Sequence, residues 1–109
     1  MARKRGAKFL VVLIPAKNAV ITKSHNFKSL KDRLREQHID FLDPEEEFAR
    51  FVQKKNTSAY WVYDGHMNLA GNELLGLLVA KYVLENRMVP LKDRDTLLEQ
   101  TNQAVSNLI

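Results

Sequence analysis

Lys8 to Ile14 reads KFLVVLI and is closed by Pro15. Six consecutive apolar residues, three of them β-branched, are too few for a core helix and too many for a loop. A run of that kind, bounded by proline, reads as a strand buried on both faces, the type found in parallel sheets covered by helices.

The segments that follow supply the cover. Phe27 to Gln37 carries Phe27, Leu30 and Leu34 at helical spacing among charged residues, so an amphipathic helix is expected from near Asn26. Ile39 to Leu42 (IDFL) reads as a second strand. Asp43 and Pro44 after it have the form of an N-cap and a first helical residue. Glu45 to Lys55 then places Phe48, Phe51 and Val52 on one face, with glutamates early and lysines late, as the helix dipole favours. Asn56-Thr57-Ser58 breaks the pattern, and Tyr60 to Tyr63 is a short aromatic, extended piece.

Asn68 fits as the N-cap of a helix from Leu69 to about Asn86, with Leu75, Leu78, Val79 and Tyr82 expected toward the core. Beyond Pro90, Asp93 to Ile109 is amphipathic along Leu97, Thr101, Ala104, Val105 and Leu108. That stripe has three possible destinations: the sheet, the preceding helix or a partner chain. The alternation of strand and helix is α/β, and the right-handed crossover rule makes a layered parallel sheet the natural solution.

Bulk properties narrow the chemistry. The chain has 109 residues, 45% of them hydrophobic, with three prolines and four glycines, which describes one globular domain. Without cysteine there is no disulfide, thiolate metal site or cysteine nucleophile. The run Phe9 to Ile14 is too short to cross a bilayer, so no membrane span is expected. The net charge is +4, but apart from Arg3, Lys4 and Arg5 most basic residues alternate with acids along helix faces. That distribution speaks against nucleic acid as a partner. His25 and His38 read as surface residues, no zinc site or other cofactor is expected, and the compartment stays open.

The stretch VYDGHMNLAGNELL, Val62 to Leu75, sets Asp64 two positions before His66 just ahead of a helix. Serine acyl transfer needs an imidazole to take the serine proton and a carboxylate to hold its tautomer and stabilise the imidazolium. In extended backbone, residues i and i+2 point the same way, and Gly65 gives latitude, so Asp64 can reach His66. Asp-Gly is equally a common turn dipeptide, and an acid closing a turn beside a surface histidine is the plainer reading.

The segment YDGHMNLAGNELLGLLVAKYVLE, Tyr63 to Glu85, resembles the closing block of the SGNH hydrolases, also called the GDSL esterase family. There an acid and a histidine precede an Asn and a Gly at the start of the last helix. AKFLVVLIPAKNAV and REQHIDFLDPEEEF resemble the strand, helix, edge strand and acidic helix upstream, especially in branches related to polysaccharide O-acetyltransferases. The resemblance runs from Ala7 to about Asn86, and its specific part is Asp64 to Gly71. It implies a three-layer α/β/α flavodoxin-like fold, with Asp64 as triad acid and His66 as general base.

Two departures from the family are visible. One residue separates acid and histidine where two are commoner, a spacing that occurs in the acetyltransferase-like branches. No Gly-Asp-Ser block is present, and Ser24, Ser29, Ser58 and Ser106 all lack that context. By this resemblance residues 1–88 correspond to the C-terminal half of such a domain and 89–109 to an added amphipathic helix. The implied substrate is an acyl ester, with acetylated saccharides as one class. The implied hazard is self-association through Lys8 to Ile14, an apolar strand left at a sheet edge.

Overall fold

The computed structural model describes residues 8–15, 17, 20, 28–55, 59–60, 66–89 and 91–109. Among these it is mixed α/β, with four helices and a two-stranded parallel sheet. In chain order the elements are β1 (Val11–Val12), α1 (Lys28–Glu36), β2 (Phe41–Leu42), α2 (Glu45–Lys55), α3 (Leu69–Glu85) and α4 (Arg94–Leu108). β1 and β2 pair with Val11 opposite Phe41 and Val12 opposite Leu42. Parallel partners need a crossover, and α1 lies in it.

Both strands are shorter than Lys8 to Ile14 and Ile39 to Leu42. At β2 the cause is the end of α1. Ile39 donates its N–H to the Leu34 carbonyl at 2.9 Å and His38 donates to Arg35 at 3.1 Å, with His38 at a φ of 56°. This is a Schellman motif, and it holds Ile39 in the helix-terminating turn, so the strand begins only after it. The expectation that β1 is buried on both faces is also corrected. Phe9 and Ile14 are 51% and 54% exposed, and among the described residues β1 pairs on one side only. Leu13 and Pro15 are buried.

Asp43 acts as the N-cap of α2, its Oδ1 accepting the Glu45 N–H at 3.2 Å, while Phe48 closes the first turn onto the Pro44 carbonyl. Its other oxygen takes Lys31 Nζ at 2.7 Å, tying α1 to the start of α2. In α1, Leu34 is buried but Leu30 is 42% exposed, and Phe27 lies outside the described residues.

The core is built on α2 and α3 rather than on the sheet. Phe48 and Phe51 from α2, Ala59 and Tyr60, Leu74 and Leu78 from α3, Val105 from α4 and Val20 form one buried cluster. The face of α3 differs from expectation. Gly71, Leu74 and Leu78 are buried, Leu75 packs against the cluster from its margin, and Val79 and Tyr82 are half-buried. α3 is apolar on nearly every side, so several stripes looked equivalent. The contact of Gly71, described below, selects this one.

α4 packs on α3 through Val105, with Leu108 and Ile109 against the cluster. Arg94 Nη1 donates to the Leu84 carbonyl at 3.3 Å, closing the turn between the two helices. α3 ends as α1 does: Met88 N–H reaches the Val83 carbonyl at 3.0 Å and Arg87 takes a φ of 52°.

Leu74→Ala, removing a fully buried side chain, is expected to cost about 2–5 kcal/mol, whereas Leu69→Ala, at a site 81% exposed, should stay within about 0.5 kcal/mol of wild type. Urea denaturation of both variants measures the difference.

Candidate functional site

The loop that carries the acid and histidine is clamped at both ends. Tyr60 and Met67 form an antiparallel bridge, the Asn68 N–H donates to the Ala59 carbonyl at 2.9 Å, and Asn68 Nδ2 lies 3.4 Å from the Tyr60 carbonyl. Asn68 is also the N-cap of α3. With φ −83° and ψ −173° its backbone is extended, and its Oδ1 accepts the Gly71 N–H at 2.9 Å. One side chain therefore satisfies a helix terminus and holds the incoming strand.

Gly71 permits that closeness. A Cβ at this position would fall far inside van der Waals contact with the Ala59 carbonyl oxygen and 3.2 Å from the Met67 Cβ. A glycine in the first turn of a helix costs conformational stability, and here it allows the helix to sit directly on the preceding backbone.

Tyr60 fixes the loop to the sheet. Its hydroxyl donates to the Pro15 carbonyl at 2.7 Å in a buried hydrogen bond, and its ring lies 6.2 Å from that of Phe48. Pro15 follows β1 at its carboxyl end, and Asp43 and Glu45 follow β2 at the same end. Tyr60, where the loop begins, is thus tied to the carboxyl end of the strands. Burial, with the charge of Glu45, pushes the Tyr60 hydroxyl from 10.0 up to about 12. It remains a proton donor to Pro15 across the ordinary pH range.

His66 is exposed just ahead of the Met67 bridge. Asp64 lies outside the described residues, as do Ser24, Ser58 and His25. Ser29 and Ser106 sit on exposed positions of α1 and α4, and His38 is exposed as expected. Sequence reasoning missed Tyr60 and the reason for Gly71. The available signal was the glycine itself, since a glycine early in an otherwise strong helix implies close packing.

A second feature lies at the opposite, amino end of β2. Arg35, His38, Ile39, Asp40, Phe41 and Tyr82 line an open groove of about 390 Å³, with the Arg35 guanidinium 5.2 Å from the Phe41 ring centre. Burial and the Asp40 charge raise the Tyr82 hydroxyl above its ordinary value. The groove shares no residue with the clamped loop. Among the described residues no group of three or more His, Cys, Asp or Glu can hold a metal ion, and no helix is long and apolar enough to cross a membrane.

Compared with family models, with curated proteins and with solved structures, the chain matches none.

Two glycines of α3 give opposite expectations. Gly71→Ala should destabilise by about 1–3 kcal/mol through overpacking, although Gly76→Ala, with nothing within 4 Å of the added methyl, should stabilise by about 0.5–1 kcal/mol. Thermal melts of the pair separate close approach from helix propensity.

Tyr60 gives a pH dependence. Its folded-state value lies above the ordinary one, so its contribution is fully present below pH 10.0 and is lost as pH rises toward about 12. Tyr82 shifts in the same direction. Stability measured across that interval should fall with rising pH. Tyr60→Phe should flatten the slope and lower neutral-pH stability by about 1–2 kcal/mol, because the buried Pro15 carbonyl loses its donor.

Proposed function

We propose that this chain supplies the base and its orienting acid to an ester hydrolase or O-acyltransferase of the SGNH type, acting on small acyl esters such as acetylated saccharides. In this reading the parallel pair and its helices are the closing portion of a three-layer, flavodoxin-like sheet. His66 takes the proton of a serine hydroxyl as the serine attacks the acyl carbonyl, and returns it to the departing alcohol. Asp64 holds the imidazole in the required tautomer and stabilises the imidazolium. The serine and the donors that stabilise the oxyanion come from residues outside this sequence, so the chain by itself is expected to be nearly inert.

The observation that carries the reading is the clamped loop, which presents His66 to solvent at the carboxyl end of the strands. Asn68 and Gly71, the Asn and Gly of the resembling block, have a physical task there: one caps α3 and the other lets it approach Ala59.

A second reading, a non-catalytic interaction module built on the same half-fold, is favoured by the pairing of β1, which is one-sided among the described residues. Activity separates the two. The native polypeptide, isolated with the segment that bears the nucleophile, should hydrolyse p-nitrophenyl acetate. His66→Ala should then lower kcat/KM by about 10⁴-fold or more, and Asp64→Asn by somewhat less. Wild-type rates in a folded His66→Ala protein would remove the catalytic reading.

A further inference from the structure

Among the described residues the outer edge of β1 is unpaired, and it carries an inference that belongs with the second reading, because in the acyl-transfer reading a further strand of the sheet would occupy that edge. Val11 N–H donates to the Asp40 carbonyl and Leu13 N–H to the Leu42 carbonyl, so the odd-numbered residues of this segment face β2. Leu10, Val12 and Ile14 turn their backbone N–H and C=O groups to the other side, where no described residue bonds them. Pro15 does not interrupt that side. Its missing donor lies on the β2-facing parity, and its carbonyl is held by Tyr60.

The two outer edges of the sheet differ. β2 is preceded by the exposed Asp40, and Arg35 stacks over Phe41, the kinds of charge that keep an edge from pairing. Along β1 no charged residue occurs from Phe9 to Ala16, and Phe9 and Ile14 are half exposed. A two-stranded sheet is marginal without further strands.

We propose that this edge pairs with the same edge of a second copy, antiparallel about Val12, giving a continuous four-stranded sheet in the order β2, β1, β1, β2. The parity of the edge selects this arrangement. Val12 meets Val12 of the second copy and Leu10 meets its Ile14, each pair exchanging two backbone hydrogen bonds, while Val11 lies across from Leu13. Every side chain over this stretch faces another apolar one. Charge selects the direction: a parallel pair would bring the two Lys8 residues side by side, whereas the antiparallel pair sends them to opposite ends.

Sedimentation of the full chain across a dilution series should show a reversible monomer–dimer equilibrium. Ile14→Lys, at a position already half exposed in the monomer, should raise the dissociation constant about tenfold or more, since the substitution is repeated across the two-fold axis. Val12→Pro, which removes the central donor, should abolish the dimer. If Val12→Pro fails to fold, Ile14→Lys decides. Direction is read from a spin label: the chain has no cysteine, so Lys8→Cys labels one site. Antiparallel pairing about Val12 puts the two labelled backbones about 26 Å apart, against about 5 Å for a parallel pair. A monomer at every concentration, a dimer that Ile14→Lys leaves intact, or the short distance would each overturn the proposal.

Discussion

The contact between the first turn of α3 and the backbone at Ala59 organises most of what surrounds it. Only a hydrogen atom fits between the Gly71 Cα and the Ala59 carbonyl, so the helix start and the preceding strand lie nearly in van der Waals contact. At that separation Asn68 can cap the helix and grip Tyr60 with one side chain, and Met67 can bridge to Tyr60. The same contact sets the rotation of α3 about its axis, which sends Leu74 and Leu78 into the cluster with Phe48 and Phe51. Loop position and core packing are therefore two results of one steric condition.

Much of the fold was legible because its helix boundaries are written in local chemistry. Asp43 before Pro44, and Asn68 before an apolar run, satisfy orphan amides wherever they occur, and both caps stand where that logic puts them. The strands were less legible, because their length depends on neighbours. KFLVVLI has the composition of a long buried strand, but a strand is ordered by what pairs with it, and β2 is shortened by the αL turn at His38. The inward face of α3 was obscured by its own leucines. Leu69, Leu74, Leu75, Leu77 and Leu78 surround the helix, and periodicity does not choose among them. As for the candidate site, the Asp-Gly-His spacing was visible, while the tether from Tyr60 to Pro15 joins residues 45 positions apart and leaves no local trace.

The two ends of β2 have different characters. At the carboxyl end the polar groups are engaged in holding structure: Asp43 caps α2 and pairs with Lys31, Glu45 is buried, and Tyr60 is a fixed donor. At the amino end Arg35, His38, Asp40 and Tyr82 border open space. A carboxylate already bonded to an ammonium and an amide has little capacity left for other chemistry.

The clamp also bears on how such a loop can change over generations. Ala59, Tyr60, Met67 and Asn68 bond one another directly, so the two ends of the loop are joined next to the start of the helix behind them. A change in the number of residues between the two ends leaves the Asn68 cap and the seat of Gly71 on Ala59 to be made by the same groups. The hinge of variation is thereby separated from the seat of stability.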